Sequence, residues 1–283
     1  MYVSVCPWFA TLSCFVHSSR ELCGQVDTRT HTLRTPLLAA AAAGHSACVR
    51  ALLAGKADIR AVDSMGNSVV HECANHGHLD ILELIVEVEN MASRRRAVNA
   101  ESVGARNAAE GGGAAWLADM VQVQDAVGQL PLHAAAVNGN GQLLDRLLPL
   151  TVQAGLINSV DSTGCTSLHL AAVQGHGHCV AKLIESRADM EMRTSPPGSR
   201  TALHCAAGWG KLSSARTLVQ SKADVGARDG EGHTPLEVAH LGREHGRKGA
   251  RGWTNAEVND LPLIITLLEV AAESIGPVPP PIE

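Results

Sequence analysis

Asp161-Ser162-Thr163-Gly164-Cys165-Thr166-Ser167-Leu168-His169-Leu170-Ala171-Ala172-Val173-Gln174-Gly175-His176 decides how this chain is read. Asp and Gly form the opening turn. Thr166 stands where a hydroxyl caps a helix start. Leu168, Ala171 and Ala172 recur at helical spacing, and Gly175 permits the reversal that ends the helix. A second apolar run begins at Gly177 and closes on Ala188-Asp189. The stretch predicts a hairpin turn followed by two short antiparallel helices. One such unit has no neighbour to bury its apolar face against, so it predicts company.

The company is present. Taking Thr166 as a register mark, the equivalent positions are Thr35, Ser68, Leu130, Thr166, Thr201 and Thr234. Successive steps are 33, 62, 36, 35 and 33 residues. The long step is one period of about 33 plus an insertion. Each mark opens a T-P-L-H-like run: Thr35-Pro36-Leu37-Leu38, Ser68-Val69-Val70-His71, Leu130-Pro131-Leu132-His133, Thr201-Ala202-Leu203-His204 and Thr234-Pro235-Leu236-Glu237. Pro fits the first helical turn, where its missing N–H has no partner to lose. Leu130 in place of Thr is expected to lose the hydroxyl bond that staples the turn.

A period near 33 with this pattern resembles the ankyrin repeat family. The resemblance covers residues 30–273 and is closest at 161–193. It implies an all-α repeat solenoid, an ankyrin-like stack of helix-turn-helix units with short β-hairpin loops. The expected organisation is an apolar leader at 1–26, a repeat domain at 27–273 and a Pro-rich tail at 274–283. The units run about 30–62, 63–124, 125–160, 161–193, 194–228 and 229–273. Insertions fall at 88–116, after a second helix from Leu79 to Val88, and at 242–259, before a closing helix from Leu261 to Glu273. Leu117-Ala118-Asp119-Met120 is read as the turn where the repeat resumes.

Composition agrees with thin layers of small helices. Aromatic residues are 2% of the 283 residues, and the apolar content is mostly Ala, Leu and Val. The net charge of −5 shows no basic excess of the kind nucleic acid requires. The eight cysteines form no CxxC pair, and Cys73 and Cys205 read as small buried hydrophobes in a reducing compartment. Residues 2–16 are apolar but too short to span a bilayer, and no basic residue precedes Arg20 as a secretory signal would want. The expected location is cytoplasmic, with the nucleus also open, for a chain that is a monomer by itself.

No G-x-S-x-G, Walker-type G-x-x-x-x-G-K or H-E-x-x-H occurs. The expectation is a protein that is not an enzyme and takes no cofactor. The fourteen histidines invite a metal reading, above all His76-Gly77-His78 and His176-Gly177-His178 beside Cys179. Zinc wants about four converging ligands, and no second pair at fixed spacing supports it. The expectation is no metal, with these histidines holding backbone turns.

The resemblance implies where a partner sits: the hairpin tips and the two residues before each inter-helix glycine, on a concave face. By that rule the contact residues are Asn75, His76, Val137, Asn138, Val173, Gln174 and Trp209, joined by turn residues Met65, Asn67, Gln129, Cys165 and His233. Asn158 matches a position that an asparaginyl hydroxylase modifies in such proteins. The implied function is a non-catalytic scaffold binding another protein. Rival readings are a targeting or regulatory subunit of a ligase, kinase or phosphatase assembly, and an adaptor tethered to a membrane through residues 1–16.

Overall fold

Each helix pair begins where the sequence places a cap. Thr35 Oγ1 accepts from the Leu38 N–H at 3.4 Å. Ser68 and Thr166 do the same for His71 and His169, at 3.5 and 3.4 Å. Four histidines return the favour, since Nδ1 accepts from the N-cap N–H: His71 from Ser68, His133 from Leu130, His169 from Thr166 and His204 from Thr201. Leu130 makes no side-chain cap bond, as its chemistry requires, but its own N–H still reaches His133 at 3.1 Å. Glu237 takes the histidine's place in the last unit and accepts from both Thr234 N (2.7 Å) and Thr234 Oγ1 (3.1 Å), which is a capping box.

The computed structural model describes residues 26–102, 113–247 and 255–275, which hold thirteen helices and no strand. The fold is an all-α repeat solenoid. One β-bridge, Val62 to Ser68, is present among the described residues, so the hairpins close as turns. The chain divides into two compact units, Met1–Ala126 and Val127–Glu283. No helix of the described residues is long and apolar enough to cross a membrane.

In the unit Met1–Ala126 the helices are α1 (Pro36–Ala42), α2 (Ser46–Ala54), α3 (Val69–His76), α4 (Leu79–Ser102) and α5 (Gly113–Met120). α1 packs on α2 and α3, α2 on α4, and α4 on α3 and α5. Here the structure departs from the sequence reading twice. α4 does not stop at Val88 but continues to Ser102, because no Gly or Pro interrupts 79–102. Leu117–Met120 is not a turn but the end of α5: Trp116, Leu117 and Met120 are buried, and their shared face pulls the segment into a helix. Arg94 is an exposed position on α4.

In the unit Val127–Glu283 the helices are α6 (Pro131–Val137), α7 (Gly141–Gln153), α8 (Ser167–Gln174), α9 (Gly177–Glu185), α10 (Ala202–Gly208), α11 (Leu212–Gln220), α12 (Pro235–Arg247) and α13 (Asn255–Ile275). First helices stack in the order α6, α8, α10, α12, and second helices in the order α7, α9, α11, α13. Both helices of the last pair run into the 242–259 segment that the sequence marks as an insertion, and α13 ends at Ile275 rather than Glu273. Of the leader only Val26 is described, and the Pro-rich run from Gly276 lies outside the described residues.

Candidate protein-binding surface

Two sets of histidines tie the helix pairs to the turns beside them, most of them from one repeat to the next. The imidazoles at the T-P-L-H position donate from Nε2 to a carbonyl that follows: His133 to Ser159, His169 to Arg200 and His204 to His233, each at 3.0 Å. Since Nδ1 accepts and Nε2 donates, these rings are neutral in a single tautomer. Burial lowers His169 and His204 below the usual histidine range, and their backbone bonds only partly oppose it.

The second set sits under the inter-helix turn of the preceding repeat. His176 Nε2 donates to Val137 O and His178 Nε2 to Gly139 O, both at 3.0 Å. A Cβ at Gly139 would come within 2.8 Å of the His176 ring, and one at Gly44 within 2.7 Å of the His78 ring. Those glycines are therefore required twice, by φ of +69° and +75° and by the ring beneath. The His76 and His78 rings stack 6.1 Å apart. Both H-x-H pairs thus have ring packing or carbonyl bonds as their visible work.

The hairpin tips are clasped by their aspartates. Asp161 Oδ1 accepts from Thr163 N (2.9 Å), Thr163 Oγ1 (2.6 Å) and Cys165 N (3.0 Å), and Oδ2 from Gln129 Nε2 (3.2 Å). Burial would raise this carboxyl, but the donors outweigh it and hold it below the usual carboxylate range. Asp229 is treated alike by Glu231 N and His233 N, both at 2.9 Å, with Arg200 Nε at 3.4 Å from Oδ2. Asp229, Glu231 and His233 bring three ligand-type atoms within 4.8 Å of one another. Both Asp229 oxygens are already occupied by the turn and by Arg200, so the arrangement serves the hairpin. Burial pushes the Cys73 and Cys205 thiols up to about 12 and Cys179 to about 11, the behaviour of inert core thiols.

None of the twelve sequence-designated contact residues is buried. Several are nonetheless engaged locally. Asn67 Nδ2 donates to Asp63 Oδ2 (3.2 Å), Asn138 Nδ2 to Ala134 O (2.9 Å) and His76 Nδ1 to Glu72 O (3.1 Å). Gln129 and Cys165 belong to the Asp161 clasp, and His233 supplies the carbonyl for His204. Asn158 Oδ1 accepts from Asp189 N at 2.9 Å, bracing the following turn. Met65 is 52% exposed in its hairpin.

The ends of α6, α8 and α10 carry Val137-Asn138, Val173-Gln174 and Gly208-Trp209 side by side. Trp209 is the C-cap of α10 and is 45% exposed. Leu241 stands at the same step of α12 as Gly208 does of α10 and is also exposed. Sequence reasoning passed over it because an insertion was expected from residue 242, so no inter-helix glycine was assigned to the last unit, whereas α12 runs on to Arg247. A second feature it missed is Glu72, 6% exposed on its side chain and paired with Arg34 at 3.0 Å. Burial raises its carboxyl, with Arg34 pulling against that.

A family model described as ankyrin repeats (3 copies) matches residues 12–94 and 107–194, and a single ankyrin repeat model matches 199–230. The first match begins at residue 12, inside the segment the sequence reading assigns to the leader. No curated protein matches the chain. Among solved structures it is similar to the ankyrin repeat domain of Bcl-3, titled a unique member of the IkappaB protein family, at 22% identity and a TM-score of 0.55. That likeness covers 89% of this chain and 91% of the other. At such identity the likeness is one of fold alone. The family models, the 33-residue register and the capped helix pairs agree that this chain belongs to the ankyrin repeat family.

Proposed function

We propose that the chain is a non-catalytic scaffold that binds another protein on the row of first-helix ends running from Asn138 through Gln174 to Trp209. Ankyrin repeats generally mediate protein–protein interaction, and such domains are typically non-catalytic. The observation that carries the proposal is Trp209. It is a large amphipathic ring left 45% exposed, in a chain whose T-P-L-H histidines and hairpin aspartates are absorbed by turns. Trp is enriched among residues that dominate binding energy. Its neighbours Gln174 and Asn138 are neutral and exposed, which favours a partner anchored by an apolar side chain over a highly charged one. A rigid stack docks such a partner with little ordering entropy.

The test is affinity capture from cell extract with wild-type and Trp209→Ala chains, followed by binding measurements on the partner captured. Trp209→Ala is expected to weaken the complex by tenfold or more, about 1.4 kcal/mol or above. Folding stability should stay within about 0.5 kcal/mol of wild type. An unchanged set of partners at unchanged affinity would remove Trp209 from the interface. The same reading takes the chain as a cytoplasmic or nuclear monomer. It also keeps hydroxylation of Asn158 as a modification, to be checked by mass spectrometry of the peptide spanning that residue.

A further inference from the structure

Second helices of the unit Val127–Glu283 cover one another in turn: α7 packs on α9, α9 on α11 and α11 on α13. α13 is the last of that row among the described residues. Its inward stripe is Leu261, Ile264, Ile265 and Leu268, none more than 6% exposed. At 100° per residue the opposite side carries a second apolar stripe, Leu263, Leu267 and Val270, at i, i+4 and i+7. Leu263 and Val270 are 56% and 61% exposed, more than any other large apolar residue described. A helix that is apolar on two opposite faces has the composition of one covered on both sides. α13 has the pattern of an interior helix, yet among the described residues it packs on α11 and α12 while Leu263 and Val270 stay exposed.

The charges beside the stripe restrict what can cover it. Asp260, Glu269 and Glu273 flank it, and residues 260–273 contain no Lys or Arg. Two copies of this face brought together would oppose like charges, which is unfavourable. We propose that the outer face of α13 is a docking site for an amphipathic helix of another protein. That helix has apolar residues at i, i+4 and i+7 and Lys or Arg along its flanks, and lies as the next rung of the stack. The stack's own helix-on-helix contact continues into this interface, and the acidic flanks select the basic helix.

The full chain is titrated, with fluorescence anisotropy as readout, against two designed helical peptides sharing one leucine stripe. One peptide has lysine flanks and its twin has glutamate flanks. The lysine peptide is expected to bind at least tenfold tighter. The pair Leu263→Ser and Val270→Ser should weaken it by tenfold or more, and the pair Glu269→Lys and Glu273→Lys should reverse the preference. Equal binding of the two peptides overturns the proposal. So does lysine-peptide binding that survives the serine pair, since that is charge attraction alone. A concentration-dependent rise in mass by sedimentation, abolished by the serine pair, would assign the face to a second copy instead. Should the serine pair lower helix content, the charge-reversal pair decides the matter by itself.

Discussion

The unit that opens at Asp161 and the one that opens at Asp229 use the same turn and end it differently. Both aspartates accept from the N–H groups two and four residues on, and both turns lead to a threonine N-cap. At the third helical position one unit has His169 and the other Glu237. His169 is fully buried, caps its own helix through Nδ1 and reaches Arg200 O through Nε2. Glu237 is exposed and closes only its own box. An imidazole has an acceptor and a donor on opposite edges, so it links two repeats. An ionised carboxylate only accepts, so it has nothing to offer a carbonyl beyond its own turn. One position thus separates a residue that joins repeats from one that finishes a helix.

The glycines of the two turns sharpen the contrast most. Gly164 and Gly232 both have positive φ, +75° and +84°. A Cβ at Gly164 would meet Ser195 N at 2.4 Å, whereas one at Gly232 meets nothing within 4 Å. Gly164→Ala therefore carries the backbone strain plus a clash with the next hairpin's main chain, and should destabilise by about 3 kcal/mol. Gly232→Ala carries the strain alone, about 1 kcal/mol. Urea denaturation of both variants checks this, and equal losses would show that the crowding at Ser195 is relieved cheaply.

Next in size is the pair His169→Ala and Glu237→Ala. The first strands the buried Thr166 N–H and Arg200 carbonyl, and about 2–3 kcal/mol should be lost. The second removes an exposed cap, about 1 kcal/mol. If the two losses were equal, the link from His169 to Arg200 would contribute nothing beyond the cap.

The same two residues should also separate the chain's response to pH. Burial places His169 and His204 below the unfolded histidine value of about 6.5. As pH falls below that value the unfolded chain binds protons that the folded chain refuses. The histidine contribution is therefore complete above about pH 6.5 and declines as pH falls toward the folded values. Glu237 is lowered by its bond from Thr234 N, with burial opposing, and donors likewise hold Asp161 and Asp229 low. Their contribution is complete above the unfolded carboxylate values, about 4, and is lost below them. Urea midpoints should fall between about pH 7.5 and 5.5 in wild type and fall less in His169→Gln, whereas Glu237→Gln should keep that first decline.

The caps, turn aspartates and paired glycines were legible in the sequence because each is a local signal. Thr166, Gly175 and His169 mean the same thing in any unit. What the sequence hid was set by neighbours. α4 runs to Ser102 although the repeat pattern ends its second helix near Val88. The apolar spacing weakens after Val88, while residues 79–102 hold no helix breaker. Gly242 opens an insertion by pattern, yet α12 passes through it to Arg247. Among the contact residues, exposure followed from the register. That Asn67 and Gln129 are tied to Asp63 and Asp161 depends on side chains meeting across a turn, which spacing alone does not rank.

The smallest expected effect lies in the turn after the second helix, where the repeats again differ at one position. Gly155, Lys56, Arg187 and Lys222 have φ of +72°, +64°, +65° and +66°, so one backbone shape is filled once by glycine and three times by long basic residues. For a residue with a Cβ this conformation costs about 1 kcal/mol. Glycine removes that strain but gives the unfolded chain more freedom, which offsets part of the gain. Arg187→Gly and Lys222→Gly should each therefore stabilise by only about 0.5 kcal/mol, and together by about 1, since they sit in separate repeats. Gly155→Ala meets no atom within 4 Å and should lose roughly what the other two gain, up to about 1 kcal/mol. Thermal melts of the double glycine variant give the clearest reading. A lower midpoint would mean that the Arg187 and Lys222 side chains make surface contacts worth more than the strain they impose.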